Sequence, residues 1–476
     1  MRYALPTPDC VLVSTARPSG GRRSLCDAWL RLHALLLLGY ALGGKSFAYL
    51  GVLPIYIGEL VLLCGLLALL ATGAALRIPR SPTLYALGAL FAWCGWLTLR
   101  GLPAYGMDAL RDSVIWSYAL FAVIVACALV SRPERLRRLV ERYARFGRIF
   151  VLLVPGIWTF SALYGDRLPR LPGTEISLLQ IKATDTLLHL FGVAGFQFLG
   201  LGPASASTAV AFGLGFIVLS TRSRGVMLGV MLGLLVLAAT RPLRRRLWIA
   251  GAVLLGLLPL LLTVDFGVSI RHRELSTRQV VANVTSIFRG DVSRQLEGTK
   301  QWRLEWWSKI VGYTVYGRHF WTGKGFGKNL AHDDGFDLKL EIPLRSPHNA
   351  HLDMLGRAGV PGLALWILVQ VAWLLEMLRR YRVARRAGHG RWERLFVLLI
   401  AYWLAMLVNA SFDVALEGPM SGIWFWSLFG VGIGAARIHA RRPGVLELVR
   451  PVRAPARPWT ARPPGERPSS GPGDRR

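Results

Sequence analysis

Apolar runs recur along this chain far more often than a single soluble core can use. Crossing the hydrocarbon of a bilayer as a helix takes roughly twenty mainly apolar residues. Runs close to that length, some short or interrupted by glycine, lie at 27–44, 55–76, 82–99, 112–130, 148–164, 186–201, 204–221, 225–240, 247–264, 354–378, 395–411 and 420–438. The pattern predicts an all-α polytopic membrane protein of about twelve transmembrane helices. It divides the chain into an N-terminal segment 1–26, nine spans over 27–264, one large extramembrane loop with a short helix over 265–353, three spans over 354–438 and a tail 439–476.

Charge gives the orientation. The 57 basic and 27 acidic residues leave a net +30, a balance that would also suit nucleic acid. Its placement points instead to a membrane: Arg22–Arg23, Arg77 and Arg80, 132–148, 241–246, 379–394 and the segment after Arg437 fall at alternate ends of the spans. If all face the cytoplasm, the positive-inside rule is met with both termini inside, and an even number of spans is required. The stretch 131–148 alternates basic residues with Leu136, Leu139, Val140 and Phe146, the pattern of an amphipathic helix lying on an anionic leaflet. The Pro- and Arg-rich tail reads as disordered. Spans two and three are expected to form a tight pair around 77–80.

Several patterns are expected to carry no chemistry. Cys10, Cys26, Cys64, Cys94 and Cys127 lack metal-ligand spacing. Residues 1–26 lack the apolar stretch of a cleavable signal. Gly39 to Ser46 formally fits a P-loop, but that loop needs a soluble strand and helix around it, and here its first glycine falls inside a span. His332, Asp333, Asp334 and Asp337 read as a solvated loop before a cation site. Arg111 and Asp112, at the mouth of span four, read as an interfacial ion pair.

Chemistry concentrates on the side opposite the basic loops. Between Asp265 and Ser346 the chain is polar and aromatic for 82 residues, with 13 basic and 9 acidic side chains. A helix over 299–316 offers Trp302, Leu304, Trp306, Ile310 and Tyr313 on one side and Arg303, Glu305 and Lys309 on another. The flexible stretch Gly323–Lys328 offers Lys324 and Lys328 to a phosphate. Arg345 then leads into Pro347 and His348, expected in the first helical turn, where proline sacrifices no hydrogen bond. His348 is either a titratable group where membrane meets water or a capping residue. Arg222 and Arg224 fall on the same side, where the positive-inside bias disfavours them and where arginine suits phosphate oxygens. Asp413 and Glu417 reach that side too, able to orient the imidazole, pair an arginine or sit hydrated in a turn.

Three landmarks in one order resemble the O-antigen ligase and polymerase superfamily of bacterial inner-membrane glycosyltransferases. They are Ser223-Arg224-Gly225; the Arg303–Trp307 helix with its Gly323-x-Gly325 turn; and His348-Asn349 followed, after nine intervening residues, by Gly359-x-x-Gly362. The resemblance covers roughly 28–438. It implies a GT-C-like membrane enzyme that moves a glycan from undecaprenyl diphosphate to an acceptor on the periplasmic face, inverting, without nucleotide sugar, metal or other cofactor. In its terms His348 is the base, Arg224 and Arg303 stabilise the diphosphate, and Arg222 is added by position. Arg345, Asn349, Lys324, Lys328, Asp413 and Glu417 are substrate-binding candidates. The complete histidine motif and the single large loop favour a ligase acting on lipid A-core over a polymerase. A polyprenyl-phosphate-glycan flippase is the alternative of another class, against which stands the lack of paired repeat halves.

Overall fold

The computed structural model describes residues 24–52, 55–220, 222–240, 268–270, 273–275, 294–337 and 344–447. Fourteen α-helices follow in chain order: α1 (Leu25–Ala48), α2 (Ile57–Ala71), α3 (Pro82–Tyr105), α4 (Met107–Ser117), α5 (Leu120–Ser131), α6 (Glu134–Tyr164), α7 (Ala183–Phe198), α8 (Ala206–Ser220), α9 (Arg224–Thr240), α10 (Arg294–Thr314), α11 (Leu330–Asp334), α12 (Ala350–Arg386), α13 (Gly390–Ala410) and α14 (Pro419–Arg441). Among the described residues the strands form two short antiparallel pairs, 51–52 with 55–56 and 268–270 with 273–275. Every apolar run except 247–264 falls on a helix. That run, the basic stretch 241–246, residues 1–23, the loop segment 276–293 and the tail beyond 447 lie outside the described residues.

Among the described residues five helices are long and apolar enough to cross a membrane: α1, α3, α6, α12 and α13. A sixth follows if α4 and α5, bent by 44° at their junction, count as one span. Helices α2, α8 and α9 are apolar but shorter.

Two local expectations change, and a third stretch gains a structural role. The stretch 131–148 is not a separate surface helix. It runs without a break into the apolar half of α6. Its Arg135 is buried because a partner waits for it: Nε donates to Asp27 of α1 at 2.9 Å, and Nη1 to the Ala128 carbonyl at 2.7 Å. Helix α3 lies along α12 rather than pairing with α2, its N-terminal Ser81 and Thr83 hydroxyls donating to Glu376 at 2.6 and 2.9 Å. The P-loop look-alike is a kink: Gly44, at φ 59°, lets α1 touch the chain before α7. There Lys45 N donates to the Gln180 carbonyl at 2.8 Å and Gln180 N to Ser46 Oγ at 2.7 Å. A Cβ at position 44 would come within 2.4 Å of that carbonyl, so only glycine permits the contact.

Helix α12 also begins differently. Its N-cap is Asn349, whose Oδ1 accepts from His351 N and Leu352 N at 3.0 and 3.2 Å. Pro347 and His348 therefore lie outside the helix, not in its first turn. Downstream the helix kinks at Gly359, φ 69°. On α10, Trp306 and Ile310 are fully buried against Leu330, Ala331 and Leu355, which fixes the loop on the end of the bundle. Leu304 is half-exposed instead of joining them.

Candidate functional site

One end of the bundle encloses a cavity of about 1240 Å³. Its wall is assembled from α1, α2, α4, α6, the segment before α7, the α8–α9 turn, the residues before α12 and the α13–α14 turn. The opposite end carries Asp27, Arg135 and the His389–His439 contact.

His348 lies in this wall, and its backbone is unusual. Its φ of 55° is the one positive value outside glycine among the described residues. Side chains rarely accept that conformation, and it persists where surrounding contacts dictate it. Trp307 Nε1 grips the preceding Pro347 carbonyl at 2.8 Å and Asn349 commits the next residue to the helix cap, so the histidine takes the turn between them. Burial, aided by the nearby Arg303 charge and opposed by Asp413, lowers its pKa to about 4. The ring is thus neutral near pH 7 and able to accept a proton. His351 differs, since Trp366 Nε1 donates to its Nδ1 at 3.0 Å and Ser411 Oγ meets its Nε2 at 3.1 Å.

Charged groups from distant parts of the chain surround His348. Arg303 Nη1 donates to the Phe412 carbonyl at 3.1 Å. Burial lowers the Arg303 pKa; Asp413 opposes that shift and the Arg224 charge adds to it. Arg224 opens α9, whose Gly225 abuts Phe412. Arg222 lies in the cavity wall. Asp413 is tied to Lys182, whose Nζ stands 2.7 and 2.6 Å from its two oxygens. Burial pushes the Asp413 carboxyl up, but the Lys182 ammonium outweighs it and the net shift is downward. Glu417, also in the wall, is raised well above the ordinary glutamate range by burial and then by the Asp353 charge.

Arg345 and Arg357 also reach the wall, both bound to Asp112. Asp112 Oδ2 accepts from Arg345 Nη2 at 2.9 Å, Arg357 Nη1 at 2.6 Å and Gly327 N at 3.1 Å. The expected interfacial pair of Arg111 with Asp112 is replaced by this buried cluster, because two guanidinium groups from the α12 region compete for the same carboxylate.

Residues 209–367 match the family model described as O-antigen ligase. Over that third of its length the chain is similar to the O-antigen ligase family. The match supports the O-antigen ligase and polymerase superfamily that the sequence landmarks resemble, and it spans Arg222, Arg224, Arg303 and His348. No curated protein matches the chain significantly. Asp413, from beyond the matched stretch, and Lys182, from before it, act on the charge of His348, while Glu417 and Lys45 join the same cavity wall.

Not every expected contact converges. Lys324 is held by Asp333 and Asp334, and Lys328 by Asp333 at 2.7 Å, away from the cavity wall. The same pairs occupy Asp333 and Asp334, in the segment expected to be a solvated loop. The Asn349 side chain is spent on its cap, and Arg345 on Asp112 and Asp108. Sequence reading missed Lys45, Lys182 and the role of Asp112. The first hides in the P-loop look-alike. The second sits where a proline-containing loop turns into an apolar helix, a lone charge at a helix start with no motif around it.

Proposed function

We propose that the protein is an O-antigen ligase, a twelve-span GT-C-like glycosyltransferase of the bacterial inner membrane with both termini cytoplasmic. Its cavity faces the periplasm and moves a glycan from undecaprenyl diphosphate to lipid A-core. The observation that carries this reading is the meeting of His348 and Arg222 in one cavity wall, with Arg303 beside them, at the bundle end away from the basic loops.

In the reaction an acceptor hydroxyl attacks the anomeric carbon while His348 takes its proton. The bond from that carbon to the diphosphate oxygen breaks, and its electron pair leaves with the diphosphate. Arg222, Arg224 and Arg303 stabilise the charge growing there in a site partly shielded from water. One displacement inverts the anomeric centre. Arg345 sets the entry to α12 through Asp112.

Purified protein with lipid-linked glycan and lipid A-core tests this. His348→Ala should abolish transfer and retain donor binding; survival of both removes the histidine from its role. Growth of the lipid-linked glycan without lipid A-core identifies a polymerase instead, and donor translocation that survives His348→Ala identifies a flippase.

A further inference from the structure

Lys182 stands between the cavity and Asp413. It lines the wall, about a third of its side chain is exposed, and its ammonium bridges both carboxylate oxygens. Asp413 is absent from the wall itself but is held in place without the lysine as well. Val414 N donates to Oδ1 at 2.8 Å and Thr184 Oγ1 to Oδ2 at 3.3 Å. Among the described residues, the charged groups that act on His348 are Arg303, Asp413 and Lys182. Those facing Lys182 are Asp413, Asp185 and Glu417, with Lys45 near enough to repel it. Lys45 shares the wall, brought there by the Gly44–Gln180 contact.

We propose that Lys182 is an exchangeable partner: an anionic phosphate entering the cavity draws its ammonium from Asp413, and the freed carboxylate then serves His348. The proposal rests on the reading of a diphosphate-bearing donor given above. Lysine suits the exchange because its charge rides on a flexible four-carbon arm. The carboxylate stays where Thr184 and Val414 hold it, so only the cation moves. Charge remains balanced throughout. In the empty site Lys182 neutralises Asp413 and His348 is neutral. In the occupied site Lys182 neutralises phosphate, and Asp413 faces an imidazole about to become imidazolium. The base is therefore strengthened only when a donor is present. Asp413 acts as a positioning residue and Lys182 as a phosphate contact.

Exchange of the imidazole C2 hydrogen for deuterium, read by mass spectrometry across pH, follows His348 in the detergent-solubilised full chain without requiring turnover. Inorganic pyrophosphate is the probe. Freeing an opposite charge beside a titrating group moves its midpoint by about 1–3 pH units. Saturating pyrophosphate should raise the His348 midpoint by at least one unit and leave buried His189 unmoved. Lys182→Met should raise it with no pyrophosphate present. Asp413→Asn should remove most of the pyrophosphate response.

A full response in Asp413→Asn would assign the shift to the anion itself and overturn the proposal, as would no response in the wild type. Should either variant misfold, the other still decides. Transfer to lipid A-core without a midpoint shift defeats the exchange and leaves the ligase reading intact. A shift without transfer to any acceptor does the reverse.

Discussion

Asp112→Asn is the most informative substitution away from the proposed chemistry. The carboxylate is 5% exposed and binds two guanidinium groups, Arg357 at 2% and Arg345 at 13%. Asparagine keeps one oxygen for four N–H donors and points an amide N–H₂ at a cation. Arg357 then retains Asp353, at 2.9 Å, but the one carboxylate Arg345 keeps is Asp108, which is 49% exposed and 3.3 Å away, beside the neutral Gly327 carbonyl at 2.9 Å. Removing one member of a buried ion pair costs about 3–5 kcal/mol, most of it the burial of the charge left behind. The control is Asp108→Asn, whose half-exposed pair contributes about 0–1 kcal/mol. Unfolding in mixed micelles titrated with sodium dodecyl sulfate measures both. Because Arg357 Nη2 donates to the Arg345 carbonyl at 3.3 Å, three residues before His348, kcat should also fall about tenfold, the size of a 1.4 kcal/mol barrier change. If Asp112→Asn costs no more than Asp108→Asn, the cluster does not hold this end of the bundle and the reasoning fails.

Asp27→Asn, at the far end of the bundle, should destabilise by about 3 kcal/mol through buried Arg135; kcat and its pH profile should not change, and a kinetic effect would link the two ends. Gly359→Ala combines a left-handed φ, worth about 1–2 kcal/mol for a residue with a side chain, with a Cβ 2.4 Å from the Trp321 carbonyl. It should yield little monodisperse protein, and wild-type yield and stability would count against the kink. His348→Gly should be about 1 kcal/mol more stable than His348→Ala, since glycine alone relaxes at φ 55°; equal stabilities would mean the turn is unstrained. Arg303→Lys should lose the bond to the Phe412 carbonyl and lower kcat about 100-fold, the scale of one lost transition-state donor, with a smaller effect on donor affinity measured by binding.

The membrane class was legible because bilayer thickness sets a length that any apolar run can be measured against. Helix ends were less so: local apolarity cannot tell that α6 continues through a basic stretch, since that depends on Asp27, more than a hundred residues earlier, accepting Arg135. At the site, residues announced by a motif or by charge on an unexpected side were visible. Arg222, Arg345, His348 and Glu417 do share one wall. Lys324, Lys328 and Asn349 carry equally suggestive side chains, yet each is consumed by a neighbour that only the folded chain supplies. Lys182 and Asp112 illustrate the converse. Lys182 is an unremarked charge just before a helix, Asp112 reads from the sequence as half of an interfacial pair, and the meaning of each comes from a partner, at position 413 or 357.

The glycine-rich turn acquires a structural explanation from the same kind of accounting. In an unbroken α12 the carbonyls of Gly356 and Arg357 would accept from the N–H groups of residues 360 and 361. Pro361 has no N–H, and Val360 N donates instead to the Phe320 carbonyl at 2.7 Å. Two buried acceptors are thereby released, and leaving them unpaired would be costly. Lys324 N and Gly325 N meet them at 2.7 and 3.0 Å. The loop thus borrows the hydrogen bonds that the kink gives up, and its amides are no longer available to cradle a phosphate. The Gly-x-Gly turn and the Gly359-x-x-Gly362 segment are two sides of one contact, which is why they occur in the same chain. That contact fixes the loop against α12 eight to twelve residues beyond His348, while Trp306 and Ile310 fix α10 against Leu355 of the same helix. Arg303 and the imidazole are then positioned by backbone pairing and apolar packing on one seam, whereas Lys182, paired with Asp413, carries its charge on a flexible four-carbon arm.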